Sequence, residues 1–322
     1  MDKNLALDLV RVTEVATIKA AAWLGKGDKN AADGAAVEGM RSMFNHIDID
    51  GKIVIGEGEM DEAPMLYIGE RVGHISENSE KIDIAVDPLD GTTIISKAQD
   101  HAIAVIAVAP EGKMLHAPDM YMDKICVGPK GKGVVHLDLP LEHNIIALAK
   151  VLDKKVEDVM VVMLDRERHQ KHIDVCRKLG CRVKLVNDGD ITTAMATCFE
   201  QSDIDLMIGS GGAPEGVLAA AAVKCMGGDF QGRLLPETQE EIERCEAMNL
   251  ELGELLTMED LVKGNEVQFA CTAVTDNDFL KGIRFNSRGQ ATTESIAMRT
   301  ETGTIRYIKT IHNLEKKEEF IK

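Results

Sequence analysis

Apolar positions Leu5, Leu9, Val12 and Ala16 recur at helical spacing and predict a helix over Leu5 to Leu24. The run Gly25-Lys26-Gly27-Asp28-Lys29 reads as a loop, and a second helix is predicted from Ala31 to His46. Asp50-Gly51 is a turn signal, after which Lys52-Ile53-Val54-Ile55 reads as a strand ending in Gly56-Glu57-Gly58-Glu59. A further helix is expected over Ala63 to Val72. Ile82, Ile84 and Val86 alternate with Asp83 and Ala85, which is the two-residue period of a strand. That strand is expected to stop abruptly at Asp87-Pro88-Leu89-Asp90-Gly91-Thr92. His101 to Ala109 predicts another strand, halted by Pro110 and a turn at Gly112.

From about His143 the pattern changes to regular alternation. Helices over Asn144–Leu152, His169–Leu179, Ile191–Phe199 and Ala213–Cys225 are interleaved with strands over Val159–Leu164, Cys181–Val186 and Ile204–Ile208. Such alternation predicts an α/β layer with a largely parallel sheet. The tail returns to strands over Val267–Val274, Thr293–Thr300 and Thr304–Ile311, with Glu301-Thr302-Gly303 making the last two a hairpin. The fold class expected is α/β: an α+β N-terminal part over residues 1–142 and an α/β C-terminal part over 143–322. A length of 322 residues fits about two domains.

Composition narrows the function. The formal net charge is -17, which argues against nucleic acid as a partner, because phosphate backbones require patches of Lys and Arg. Aromatic residues are only 3%, too few for a base-stacking platform. No apolar run approaches the ~20 residues of a membrane span, the longest lying around Ala102 to Ala109. The N-terminus lacks the pattern of a secretory signal, so a cytoplasmic location is expected. Seven cysteines are scattered without a CxxC pair and read as reduced structural thiols. The nine histidines show no HxxxH spacing, which disfavours zinc held that way.

The candidate chemistry lies at the ends of the predicted strands, where open α/β sheets place their ligands. Asp33 starts the second helix, Glu57 and Glu59 follow one strand, and Asp87 and Asp90 follow another. Glu215 lies at the mouth of a helix in Gly211-Gly212-Ala213-Pro214-Glu215-Gly216. Hard divalent cations take carboxylate, carbonyl and water oxygens, so Mg²⁺ or Mn²⁺ suits these positions. The plain alternative is that these acids are solvated loop charges or, for Asp87, a helix cap. Arg166 and Arg168, after another strand, suit a multidentate grip on phosphate, or else surface pairing with Asp165 and Glu167. Asn187-Asp188-Gly189-Asp190 offers acceptors for sugar hydroxyls, or an Asx turn with Asp190 as a helix cap. Ile208-Gly209-Ser210-Gly211-Gly212 departs from the GxGxxG spacing of a dinucleotide loop. Tyr121 is open to a reading as a half-buried core residue.

Asp87-Pro88-Leu89-Asp90-Gly91-Thr92 resembles the metal motif of the lithium-sensitive, metal-dependent phosphatase superfamily. The block Val54 to Leu66 and the block Gly209 to Gly216 narrow this to a resemblance to bacterial class II fructose-1,6-bisphosphatase, running from the first helix to Ser295-Ile296-Ala297-Met298-Arg299. The resemblance implies a layered αβαβα sandwich and metal-dependent hydrolysis of the C1 phosphate of fructose 1,6-bisphosphate. It implies metal ligands at Asp33, Glu57, Asp87 and Glu215, with Asp90 alongside. Thr92 would orient the attacking water, with Asp61 and Lys29 at active-site positions. Tyr121, Arg166, Arg168, Asp188 and Asp190 would bind substrate. A homodimer or homotetramer is implied as well. Two alternatives stay open: a dual fructose and sedoheptulose bisphosphatase, and a nucleotide-sensing binding protein on the same frame.

Overall fold

The computed structural model describes residues 1, 5–58, 63–76, 79–248 and 250–317. In chain order, α1 (Leu5–Ala21) and α2 (Lys29–Phe44) precede β1 (Asp50–Ile55), β2 (Arg71–Val72), β3 (Lys81–Asp90), α3 (Thr92–Ser96) and β4 (Ile103–Pro110). Then come β5 (Tyr121–Val127), α4 (Leu141–Val151), β6 (Met160–Leu164), α5 (Gln170–Leu179), β7 (Arg182–Val186), α6 (Asp190–Ala196) and β8 (Leu206–Gly212). They are followed by α7 (Ala213–Met226), β9 (Asp229–Leu235), α8 (Gln239–Ala247) and α9 (Met258–Leu261). The last strands are β10 (Gln268–Ala273), β11 (Arg284–Phe285), β12 (Gln290–Arg299) and β13 (Thr304–Asn313). The protein is thus mixed α/β, as its pattern predicted.

The chain forms two compact units, one of Met1–Met114 with Gly264–Lys322, the other of Leu115–Lys263. The expected division at residue 142 is therefore displaced, and the first unit is built from both ends of the chain. The reason is strand pairing: β10 lies antiparallel to β4, from Gln268 opposite Val108 to Ala273 opposite Ile103, and carries β12 with it. Local periodicity does not encode so distant a pairing.

In the first unit the sheet runs β11-β12-β10-β4-β3-β1-β2, with β13 on the other edge of β12. Helices α1 and α2 cover one face. Leu9, Val12 and Ala16 of α1 and Ala32, Ala36 and Met40 of α2 pack with Ile82, Ile84 and Val86 of β3, Ile106 of β4 and Ala270 of β10. The alternating residues that predicted β3 are the ones that meet the helices. Two expectations fail here. The helix over Ala63 to Val72 does not form: Leu66 takes a left-handed φ of 55° and residues 71–72 join β2. The strand at Lys81 does not stop at Pro88 but continues to Asp90, with its register shifted between Asp87 and Asp90. A bulge is where a strand tolerates proline, whose nitrogen cannot donate to the ladder.

The second unit has a five-stranded sheet in the order β7-β6-β8-β5-β9. Strands β7, β6 and β8 are parallel, while β5 is antiparallel to both β8 and β9, so the sheet is mixed rather than largely parallel. Ile125, Val127, Val161, Met163 and Ile208 pack on one face with Ile145 and Leu148 of α4 and Ile173 of α5. On the opposite face Cys126 reaches Ala194 of α6, and Met122 and Lys124 lie against Gly216 of α7. Helix α7 is apolar nearly all round and buried from Gly216 to Val223, as a central helix should be. The cysteines are free; among them Cys198 alone is partly exposed.

Candidate functional site

In the first unit, the carboxylates of Asp33 and Glu57 meet as a pair. Asp33 lies in the second turn of α2, whose first turn is capped by Asp28 accepting from the Ala31 amide at 3.0 Å. Its carboxyl hydrogen-bonds that of Glu57, which follows β1. Burial raises both, most of all Glu57, which reaches about 8, with the adjacent Asp33 charge and the shared hydrogen bond adding to the rise. Such a pair holds one proton or awaits a cation. The backbone at Glu57 is fixed from the loop: its amide donates to the Leu66 carbonyl at 3.0 Å, the Leu66 amide donates to Glu70 at 2.5 Å, and Arg41 of α2 donates to Glu70 at 2.6 Å. A Cβ on Gly56 would lie 1.9 Å from the Leu66 carbonyl oxygen, so only glycine permits this closure.

Asp87 and Asp90 flank the bulge of β3, and Asp87 accepts from the Leu89 amide at 3.0 Å. Asp87 therefore folds its own turn and caps no helix; α3 is capped by Gly91, at φ 103°. Thr92 is the first residue of α3 and partly exposed, and Lys29 is the exposed first residue of α2. Asp61, with Glu59, lies outside the described residues.

In the second unit, Arg168 donates to the Ser210 hydroxyl at 2.9 Å and its carbonyl at 2.8 Å, with its guanidinium 4.7 Å from the centre of the Tyr121 ring. Tyr121 is 40% exposed, which removes the core reading. Arg166 bonds two carbonyls, Asp165 at 3.0 Å and Asn187 at 2.7 Å, rather than the neighbouring carboxylates. It thus ties the loop after β6 to the loop after β7 and stays exposed. Asp188 accepts from the Gly189 amide at 3.1 Å, and burial raises its pKa. Asp190 is the first residue of α6 rather than its cap, a place taken by Gly189 at φ 94°.

Lys124 and His169, which sequence reasoning passed over, complete this cluster together with Glu215. Lys124 of β5, wholly buried, donates to Asp190 at 2.5 Å. Glu215, in the first turn of α7, has its pKa raised by burial and pulled back by Lys124, and its Oε2 is buried without a hydrogen-bond partner. Cβ atoms on Gly211 and Gly212 would lie 1.9 Å from Asp190 Oδ2 and Glu215 Oε2, so the glycine pair clears space for both carboxylates. His169 receives the Ser210 amide on Nε2 at 2.8 Å and donates from Nδ1 to the Leu164 carbonyl at 2.8 Å, which assigns a neutral ring. A buried lysine reads in sequence as an exposed one. The only signal for it was the alternation of Met122, Lys124 and Cys126 in a stretch that had not been assigned as a strand.

A model of bacterial, glpX-encoded fructose-1,6-bisphosphatase matches residues 3–312. The chain belongs to this family. It is 44% identical over 332 aligned positions to fructose-1,6-bisphosphatase 1 class 2 of Escherichia coli K12, covering 99% of this chain and 98% of that protein. It is 46% identical over 329 positions to the class 2 fructose-1,6-bisphosphatase of Haemophilus influenzae, covering 98% of each. Against that family, the donor set is all oxygen. The proton-sharing Asp33–Glu57 pair and the unpartnered Glu215 Oε2 are places where a hard divalent cation fits. Among the described residues no group of three or more His, Cys, Asp or Glu closes around one point.

Proposed function

We propose that this protein hydrolyses the C1 phosphate of fructose 1,6-bisphosphate to fructose 6-phosphate and inorganic phosphate. The likeness to class 2 fructose-1,6-bisphosphatases over almost the entire length of chain and relatives carries this reading. Asp33, Glu57, Asp87, Asp90 and Glu215 are assigned as ligands for Mg²⁺ or Mn²⁺. The bound cation supplies charge neutralisation at the phosphoryl group and acidifies water. Thr92, at the start of α3, orients the attacking water, with Asp61 and Lys29 as further active-site groups. Arg166, Arg168 and Tyr121 hold the sugar and its distal phosphate, and Asp188 and Asp190 accept from sugar hydroxyls. The exposure of Arg166, Arg168 and Tyr121 and the place of Asp188 and Asp190 in the turn from β7 into α6 support that assignment. Arg168 is fixed on Ser210 and stacked on Tyr121, so its orientation is set before substrate arrives, and remote binding energy goes into positioning.

The superfamily reading adds sensitivity to lithium, and the family reading a cytoplasmic homodimer or homotetramer. The test is phosphate release from fructose 1,6-bisphosphate, sedoheptulose 1,7-bisphosphate and fructose 6-phosphate, with EDTA, Mg²⁺, Mn²⁺ or Li⁺. Release from the C1 position that EDTA abolishes is the expected result. Metal-independent release, or none from any bisphosphate, would sink the proposal.

A further inference from the structure

Lys124 has no place in the assignment above, yet it is among the most deeply placed polar groups of the protein. Its side chain is 0% exposed. It projects from the middle strand of β8-β5-β9, where its neighbours across the ladder are Gly209 and Gly232. The space beside these glycines is taken by other side chains: a Cβ on Gly209 would lie 2.9 Å from the His169 ring and one on Gly232 2.5 Å from Met122 Sδ. The stem runs beneath α7, where a Cβ on Gly216 would lie 3.3 Å from Lys124 Cε. The ammonium then meets Asp190 at the first position of α6, and acts on Glu215 in the first turn of α7.

This is an unfavourable place for a cation unless carboxylates hold it. Helix N-termini carry positive potential, and taking an ammonium out of water costs several kcal/mol. A methionine would fill the same volume without that cost. The pair is also incomplete as a salt bridge: one ammonium proton goes to Asp190, while Glu215 Oε2 is left buried without a hydrogen-bond partner. The arrangement is one internal cation shared between a carboxylate assigned to the sugar and a carboxylate assigned to metal.

Resting on that assignment, we infer that Lys124 is a positioning residue: it fixes the Asp190 carboxylate for the sugar and tempers the negative charge of Glu215 towards the divalent cation. The two effects have opposite signs when Lys124 is replaced. Loss of the ammonium frees Asp190 and makes the surroundings less attractive to an anionic substrate, so bisphosphate binding weakens. It also leaves Glu215 beside one cation fewer, so Mn²⁺ binds more tightly. General damage to the fold weakens both.

The experiment compares Lys124→Met, Lys124→Gln and Lys124→Arg with the wild type and Glu215→Gln. Two quantities are read: Mn²⁺ affinity of the metal-free protein by calorimetry, and KM and kcat for fructose 1,6-bisphosphate at saturating Mn²⁺. Lys124→Met is expected to tighten Mn²⁺ roughly threefold to tenfold and raise KM roughly tenfold, with a smaller change in kcat. Lys124→Arg keeps the charge and should hold Mn²⁺ affinity within about twofold of the wild type. If Lys124→Met does not fold, Lys124→Gln, which removes the charge but keeps a polar stem, carries the test with the same expected signs. Weakening of both ligands, or no change in either in a folded variant, overturns the role of Lys124. Glu215→Gln should weaken Mn²⁺; if it leaves Mn²⁺ affinity untouched, the metal assignment itself fails, which is a separate result.

Discussion

At the scale of single residues, the exposed cation and the buried base make different predictions. Arg166 is tied to two backbone carbonyls and remains open to solvent, the arrangement of a guanidinium prepared for an anion. Arg166→Ala should raise KM for fructose 1,6-bisphosphate at least about tenfold, or about 1.4 kcal/mol, and leave a monophosphate substrate nearly unchanged. Equal effects on both substrates would remove the distal-phosphate role. His312 of β13 is 1% exposed, hydrogen-bonds Thr293 at 2.8 Å and lies 3.7 Å from Glu14 of α1. Burial, and then the Lys317 charge, lower its pKa to about 4. The folded state thus keeps this ring neutral while the unfolded chain protonates it near the ordinary value of about 6.5. Stability from this group is present above pH 6.5 and is lost as pH falls towards 4, by at most about 3 kcal/mol. Glu14, raised by burial, works in the opposite direction. The measurement is therefore a difference: urea midpoints of wild type and His312→Gln between pH 7 and pH 4.5. The variant should lose less stability on acidification, and identical slopes would refute the assignment.

At the scale of elements, what the sequence showed and what it hid have physical causes. Helices α1, α2 and α7 and strands β1, β3, β4, β6 and β8 carry clear periodicity and form where it predicts. Strands β5 and β9 were not foreseen, because Asp123, Lys124, Gly232 and Arg233 interrupt their apolar pattern. The carboxylates at strand ends were legible, since Gly and Pro punctuate those ends. The clamp that holds Glu57 was not, because it depends on one carbonyl of a left-handed Leu66 nine residues downstream. That clamp predicts a contrast between two glycines. Gly56→Ala drives a Cβ to 1.9 Å from the Leu66 carbonyl oxygen, which Glu70 and Arg41 keep in place, and should cost about 2–3 kcal/mol. Gly34→Ala, in α2 with nothing within 4 Å, should instead stabilise by about 0.5–1 kcal/mol. Thermal unfolding of both variants checks the pair, and equal shifts would show that the closure at Gly56 is slack.

At the scale of the whole molecule, the net charge of -17 argued against nucleic acid but said nothing useful about phosphate, because a site is governed by its local charges. The division of the chain was the least legible feature. Residues 115–263 are a continuous run, whereas the first unit needs both Met1–Met114 and Gly264–Lys322. The continuous run also has what an independent fold requires: a five-stranded sheet closed within itself, helices on both faces, and the cluster around Ile125, Met163 and Ile208. A domain of about 150 residues buries close to 70% of the surface its unfolded chain exposes, enough for stability without staples. A fragment spanning Leu115 to Lys263 should therefore fold alone, with mixed α/β circular dichroism and one cooperative urea transition. It should not release phosphate, since Asp33, Glu57, Asp87 and Thr92 are absent from it. The complementary fragment, ending at Met114, should remain unfolded, because β4 would lack β10 and the sheet would present a long apolar edge in place of its centre. An unfolded Leu115–Lys263 fragment beside a folded N-terminal one would reverse this assignment of which piece of the chain nucleates its own structure.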